Sequence, residues 1–327
     1  MAFSGPLFVV GAPRSGTKLL RTLLNEHSQI GIPDYETEFL PRWLSIHERF
    51  DTQNTEGFAA FYQWVTRFMY FKYMAEEGRQ ITPDQWLSAS PNARISGLFE
   101  GLCRQDGGIP LGQPGVWGDK SPNYRNDLPA LRALYPGARF VHIIRDVRDV
   151  SLSSQVAWGK DPVRNAQRWM DEVSACRSWG ASFGPQSYLE LRYEDLTQNP
   201  KLWLGAICRF IGLPFQETML TPSRSAENLG DTKGVVGIVS TNTEKWRQRM
   251  SPKLLLRTEA ICGPLLADLG YPLAGLPQAV QRVSPAEMQL RKLADGASLM
   301  RFRVRDWGLK DAIRYSASAL ESTLKQG

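Results

Sequence analysis

Residues 11–18 read Gly-Ala-Pro-Arg-Ser-Gly-Thr-Lys, with two glycines flanking four residues that include Arg14 and Ser15. A loop of this kind can turn successive backbone N–H groups toward one point. A helix beginning directly after it adds partial positive charge from its N-terminus. Both features hold anions. Arg14 offers a planar fork suited to phosphate or sulfate oxygens, and Ser15 and Thr17 offer hydroxyl donors. The nucleotide-triphosphatase loop needs the same glycine spacing, followed by Lys and then directly Ser or Thr. Gly11 and Gly16 have that spacing, but Thr17 precedes Lys18, which reverses the order. A P-loop kinase or other NTP-binding enzyme is therefore the alternative reading, and a non-catalytic nucleotide sensor stands beside it.

A second group of polar residues follows the apolar run 139–144. The segment from Ile144 to Ser153 reads Ile-Arg-Asp-Val-Arg-Asp-Val-Ser-Leu-Ser. If 139–144 is a strand, Arg145 sits at its C-terminal end, where open α/β sheets bind ligands. Ser153 comes eight residues later, a little over two helical turns on, so it returns to the same side of a helix. An arginine and a serine so placed can both grip one phosphate. The plainer reading is a surface ion-pair cluster of Arg145, Asp146, Arg148 and Asp149.

Taken together, a Pro-Arg-Ser-Gly-Thr loop and an Ile-Arg-Asp-x-Arg-Asp-Val-x-x-Ser segment resemble the sulfotransferases that use 3′-phosphoadenosine 5′-phosphosulfate (PAPS). Gly118-Asp-Lys-Ser-Pro122 and Leu191-Arg-Tyr-Glu-Asp-Leu196 add two further motifs in the family's order, so the resemblance spans roughly residues 6–250. It is nearest the tyrosylprotein and bacterial branch. The resemblance implies a loop, Arg14 to Lys18, around the 5′-phosphosulfate. It implies that Arg14 and Lys120 stabilise the departing phosphate and the sulfuryl oxygens, that Arg145 and Ser153 bind the 3′-phosphate, and that Tyr193 lies by the nucleotide. Lys245, in Glu-Lys-Trp-Arg at 244–247, resembles a late basic residue that touches the donor; Lys233 nearby matches no pattern. Glu36, in Asp34-Tyr-Glu-Thr-Glu38, resembles the branch's catalytic glutamate, at the start of a helix expected after residue 35. None of His27, His47 and His142 matches the histidine base of other branches. Two positions depart from the family. Lys18 stands where a second threonine is usual. Glu38 stands where the tyrosylprotein branch carries an arginine for acidic peptides, which argues against an acidic peptide acceptor. With Glu36 as the base, Glu38 shapes the acceptor pocket; the alternative is that Glu38 is the base instead.

These residues need a scaffold that brings distant segments to one edge. Leu7–Val10 is a short, continuous apolar run, as in a buried parallel strand. Strand, glycine loop and the Leu19/Leu20/Leu23/Leu24 stripe in immediate succession start an α/β unit. Further strands are expected at 116–119, 139–144 and 188–191. Helices are expected at 17–26, 123–135, 147–156, 162–179, 200–211 and 252–269. Residues 221–243 are expected to form a mobile loop. The fold class is thus α/β: a single P-loop-like domain with a central, mostly parallel sheet flanked by helices, plus a helical insertion. The domain should occupy 1–270, with the insertion at 36–105 on the acceptor side. Phe58, Phe61, Tyr62, Val65, Phe68 and Met69 keep helical spacing there, which marks a core stripe or an acceptor lining. Residues 271–327 form a C-terminal helical extension. Its Met300, Val304, Trp307, Ile313, Ala317, Leu320 and Leu324 suit a helix docked on the body, on a second subunit or on a membrane surface.

Composition excludes several classes. The chain has 327 residues, 42% of them hydrophobic, and a formal charge of +6. That balance suits anionic ligands, but the basic residues are scattered rather than gathered on one stripe, so no nucleic-acid partner is expected. Cys103, Cys176, Cys208 and Cys262 have no metal-ligand spacing and sit among apolar residues, so they read as buried thiols. No metal is required by this reading. No segment is long enough to span a bilayer or act as a signal peptide, and a cytoplasmic location is expected. PAPS is the co-substrate and PAP the product. The acceptor class favoured is a saccharide, lipid, small alcohol or phenol, with peptide tyrosine as an alternative.

Overall fold

A computed structural model of the chain describes residues 2–275, 280–310, 312–313 and 316. The described residues fall into two compact units, one drawn from Met1–Arg145, Glu172–Asn228 and Thr232–Thr241, the other from Asp146–Asp171, Leu229–Asp231 and Asn242–Gly327.

The first unit is built on a five-stranded sheet: β1 (Leu7–Val10), β2 (Ile30–Gly31), β3 (Val116–Lys120), β4 (Arg139–Ile144) and β5 (Tyr188–Arg192). The order is β2-β3-β1-β4-β5, and every pairing is parallel. In β1 all four residues are fully buried. Phe8 and Val10 join one core with Phe140, Trp117 and Tyr124, while Leu7 and Val9 join another with Val141 and Ile143. That alternation is what a strand covered on both faces requires, and it explains the unbroken apolar run. Helix α1 (Thr17–Asn25) packs Leu20, Leu23 and Leu24 into the second core.

Residues 40–106 supply the helices α2 (Leu40–Ile46), α3 (Thr55–Val65), α4 (Met69–Glu76), α5 (Pro83–Ala89) and α6 (Ile95–Asp106). Phe58, Phe61 and Val65 are buried in the first core beside Trp43 and Trp86, so the aromatic stripe of α3 is core. The ring of Trp43 stacks on Phe61 at 4.1 Å, and Trp86 donates its indole N–H to the Leu98 carbonyl at 2.7 Å.

Two expectations fail for the same reason. The helix expected from residue 36 begins only at Leu40. A helix from 36 would place Pro41 in its interior, without an N–H to donate and with its ring against the carbonyl of Thr37; at the second helical position that proline is tolerated. Likewise 123–135 is not one helix. A 3₁₀ turn at Pro122–Asn126 is followed by α7 (Leu128–Leu134), which starts where Pro129 fits its first turn. The two-residue β2 carries no sequence signal.

The chain continues through α8 (Val147–Trp158) in the second unit and α9 (Pro162–Phe183), whose residues divide between the units at Asp171. The helices α10 (Tyr193–Gln198) and α11 (Pro200–Ile211) return to the first unit, and α12 (Trp246–Arg249), α13 (Pro252–Asp268) and α14 (Pro285–Trp307) belong to the second. Within that second unit, Arg148 is fully buried, ion-paired to Asp146 at 2.6 Å and Glu259 at 2.7 Å, with its guanidinium over Trp246. The charges of 145–149 are therefore buried and not a surface cluster. Asp295 of α14 accepts from the Asp161 backbone and pairs with Arg164, which docks that helix within its unit. Met300, Val304 and Trp307 are half-buried along it and Ile313 is exposed. Ala317, Leu320 and Leu324 lie outside the described residues.

Candidate active site

Four strands of the first unit end at the residues singled out by sequence. The loop 11–16 follows β1, Lys120 closes β3, Arg145 follows β4 and Tyr193 follows β5. Parallel pairing brings these C-terminal ends to one edge of the sheet, the edge where such sheets bind ligands.

The loop is shaped by its glycines and by Arg14. Gly16 caps α1 at φ 92°, and Arg14 also lies in the left-handed region at φ 70°. Non-glycine residues rarely sit there, and strain of this kind concentrates at ligand sites. The Ser15 N–H bonds the Ala12 carbonyl at 3.1 Å and tightens the turn. The first turn of α1 has no acidic side chain, and its cap makes no side-chain hydrogen bond. Its leading N–H groups thus face the loop, as an anion needs. Ser15 is fully buried, and its hydroxyl has no hydrogen-bond partner in the protein. A buried unpartnered donor at a helix N-terminus fits an oxyanion ligand such as the 5′-phosphosulfate.

Arg145, Tyr193 and the loop meet directly. The Arg145 guanidinium lies 4.4 Å from the Tyr193 ring centroid and donates to the Arg14 carbonyl at 3.2 Å. Both Arg145 and Tyr193 are almost wholly buried. Gly16 lies under that ring: a Cβ there would fall 2.3 Å from Tyr193 Cδ2. Arg14 pairs with Glu227 at 2.9 Å, and Lys18 approaches Asn228 Oδ1 at 3.4 Å. Glu227 and Asn228 had no signal in the sequence beyond lying in a polar loop.

On the other side of β1, Lys120 is fully buried and its ammonium pairs with Glu36 Oε1 at 2.6 Å. The segment carrying Glu36 is irregular, but it is pinned. Ser121 Oγ accepts from the Thr37 N–H at 3.1 Å and the Glu38 N–H at 3.4 Å, and Thr37 Oγ1 lies 2.5 Å from the Tyr124 hydroxyl. Here the Gly-Asp-Lys-Ser-Pro motif gains a structural meaning: it supplies a cation and, one residue on, the anchor for the carboxylate facing it. Burial opposes ionisation of Glu36, but the charge and hydrogen bond of Lys120, aided by Lys18, hold its carboxyl below the usual carboxylate range. Burial, then the charge of Lys120, lowers Lys18 from its ordinary value. Asp119 is fully buried and pushed up to about 7 by that burial.

His142 is a core residue: burial drives it down to about 3, and its Nδ1 meets the Tyr188 hydroxyl at 2.6 Å. His27 is buried against the Pro214 carbonyl at 2.8 Å. Lys233 is exposed in a turn. In the second unit, Ser153 is half-buried on α8, and Lys245 pairs with Asp231 at 2.6 Å. The four cysteines are buried free thiols. Among the described residues no helix is long and apolar enough to cross a membrane, and no group of three or more His, Cys, Asp or Glu could hold a metal ion.

Comparison with known proteins points the same way. A family model described as "Sulfotransferase family" matches residues 6–217. Protein-tyrosine sulfotransferase 2 of Gallus gallus is 25% identical over 287 residues, 81% of this chain and 69% of the relative. The Homo sapiens protein-tyrosine sulfotransferase 1 is 24% identical over the same shares. Among solved structures, the sulfotransferase domain from the Synechococcus PCC 7002 olefin synthase superposes with a TM-score of 0.56 at 26% identity, covering 84% of this chain and 97% of that one. The sulfotransferase domain from the curacin biosynthetic pathway shares the fold at the same TM-score and 22% identity. The matched span runs from the strand before the glycine loop past Tyr193, so it contains every strand of the sheet and the residues at its ligand edge; the chain belongs to the sulfotransferase family and is an enzyme of that class.

Proposed function

We propose that the enzyme moves the sulfuryl group of PAPS to a hydroxyl of a saccharide, lipid, small alcohol or phenol and releases PAP. The observation that carries this reading is the pair of buried Lys120 with half-buried Glu36 at 2.6 Å, set beside an anion loop with a buried unpartnered hydroxyl. Sulfuryl transfer needs positioned reactants, cations on the oxygens that gain charge, and a base on the nucleophile. Lys120 and Arg14 supply the cations. Glu36 takes the hydroxyl proton as the oxygen bonds to sulfur and the donor's bridging S–O bond breaks, its electron pair staying on the phosphate of PAP. Ser15, Gly16, Thr17 and Lys18 hold the 5′ end. Arg145 binds the 3′-phosphate, and Tyr193 packs by the nucleotide. By resemblance, Ser153 joins in holding the 3′-phosphate and Lys245 touches the donor.

Helices of 40–106 present the acceptor side. Tyr73 of α4 supports this: burial raises its hydroxyl above the ordinary value, and the charges of Glu76, Glu36 and Glu38 add to that. Residues 271–327 form an extension outside the catalytic domain. Buried reduced thiols fit a cytoplasmic enzyme, which fractionation would check. Peptide tyrosine is a second acceptor reading, favoured by the names of the protein-tyrosine sulfotransferases above and opposed by the acidic Glu38. The test is transfer of labelled sulfuryl from PAPS across an acceptor panel, with and without a metal chelator. Metal-dependent phosphoryl transfer from ATP would instead mark a kinase, and tight PAP binding without transfer to any acceptor would mark a sensor.

A further inference from the structure

We propose that Glu36 and Glu38 act together as one base, the proton from the acceptor hydroxyl coming to rest on Glu38 while Glu36 stays ion-paired with Lys120. This rests on the sulfuryl-transfer reading above. It gives Glu38 more than the pocket-shaping part expected from sequence.

The geometry begins with Thr37. Its side chain is buried and bonded to Tyr124, and Ser121 accepts from the N–H groups of residues 37 and 38. With residue 37 pointing inward, Glu36 and Glu38 come to the same side. Glu38 is held there at φ 44°, a conformation that a non-glycine residue keeps only where its surroundings over-determine it. Asn123 Nδ2 donates to Glu38 Oε1 at 2.8 Å. The two carboxyls are close enough to act on one another's charge, with Lys120 beside both. Two carboxylates so placed ionise together only at a cost, which a proton held by one of them relieves.

The groups facing the pair are Lys120 and Asp119 of β3, Lys18 and Arg21 of α1, and Tyr73 of α4. Of these, Lys120 and Lys18 favour the charged form of Glu36. Glu38 has the opposite balance. Burial and then the charge of Glu36 push Glu38 up to about 7. Glu36 alone is thus a weak base, held below the ordinary carboxylate range. The doubly ionised pair is a far better one, because the proton it gains is shared at Glu38, and a base poised near the working pH is the most effective. The balance of the step is complete. The acceptor O–H bond breaks and its O–S bond forms. The bridging S–O bond of PAPS breaks with its electron pair on PAP. The proton ends between the carboxyls, mainly on Glu38, and later passes to water.

The experiment has two arms. In the first, protein labelled with ¹³C at the glutamate side-chain carboxyl is titrated by NMR, the two signals being assigned with Glu36→Gln and Glu38→Gln. The label excludes Asp119. The expected result is a Glu38 signal titrating near pH 7 in the wild type and moving down toward the ordinary range in Glu36→Gln. Glu38 titrating in the ordinary range in the wild type overturns the proposal without any activity being measured. In the second arm, kcat/KM is followed against pH with an acceptor from the panel. Wild-type activity should fall as pH drops through about 7. Glu38→Gln should lose at least tenfold in plateau rate and shift that limb to lower pH, with PAP affinity unchanged, whereas Glu38→Asp should keep the limb near neutrality. A Glu38→Gln enzyme with the wild-type rate and limb overturns the proposal but leaves sulfuryl transfer intact. A wild-type enzyme that transfers nothing from PAPS overturns the functional reading instead, with the NMR arm still deciding whether the carboxyls share a proton.

Discussion

Replacing Gly16 by alanine probes the joint between the anion loop and Tyr193. Two costs follow from the structure. The residue sits at φ 92°, where an L side chain crowds its own backbone, for roughly 1–2 kcal/mol. The added methyl would also fall 2.3 Å from Cδ2 and 2.8 Å from Cε2 of Tyr193, whereas carbon atoms settle at roughly 3.5–4.0 Å. The ring must therefore retreat by more than an ångström and loosen its stacking with Arg145, an interaction worth about 0.5–2 kcal/mol. Together the substitution should lower stability by about 1.5–4 kcal/mol, read by urea denaturation, and weaken PAP by at least tenfold, read by calorimetry. The two costs separate in a double-mutant cycle. In a Tyr193→Ala background the ring is gone, and Gly16→Ala should cost only the conformational part, about 1–2 kcal/mol. A Gly16→Ala protein with wild-type stability and PAP affinity would refute the reasoning. An equal cost in both backgrounds would show that the ring contact is irrelevant.

Three further outcomes are expected. Arg145→Ala should weaken PAP far more than a nucleotide lacking the 3′-phosphate, and calorimetry showing equal losses would remove its phosphate assignment. Lys120→Ala should lower single-turnover transfer by roughly a hundredfold or more, the cost of one preorganised charge at the transition state being about 3 kcal/mol; a change in the PAPS Michaelis constant alone would make Lys120 a binding residue. Asp119 titrates near 7 because it is buried, so its neutral form stabilises the fold, fully so below about pH 4 and no longer once pH has risen through 7. The melting temperature should decline across that window, and Asp119→Asn should flatten the decline, a contribution on the order of 4 kcal/mol; an unchanged slope would place the loss elsewhere.

The parts of the fold legible in the sequence are those decided locally. Leu7–Val10 is too short and too apolar for a surface helix, and the glycines after it force a turn, so β1, loop and α1 could be read together. Prolines are a local signal that overrides hydrophobic spacing: Pro41 and Pro129 each set a helix start that spacing alone puts earlier. What stayed hidden depends on partners far along the chain. Lys120 meets Glu36 across 84 residues, and Arg148 meets Glu259 across 111. Nothing in the run 144–149 says that its charges have buried counterions, so the eye places them on the surface. Glu38 is a similar case. Its place in the family pattern points to the acceptor pocket, and only the folding back of residue 37 onto Ser121 and Tyr124 sets it on the same side as Glu36.

The sheet order carries a cost that falls during synthesis. β1 lies between β3 and β4, pairing Leu7 with Gly118 and with Arg139. A ribosome adding roughly 5–20 residues per second needs about 7–26 s to pass from residue 7 to residue 139. Until β3 emerges late in that interval, the four apolar residues of β1 have neither neighbour, and they offer a short sticky edge to any other strand. Loop closure across such separations also makes a slow folder. Expression at lowered temperature or with holdase chaperones should raise the soluble yield more than any change to the surface of the finished protein.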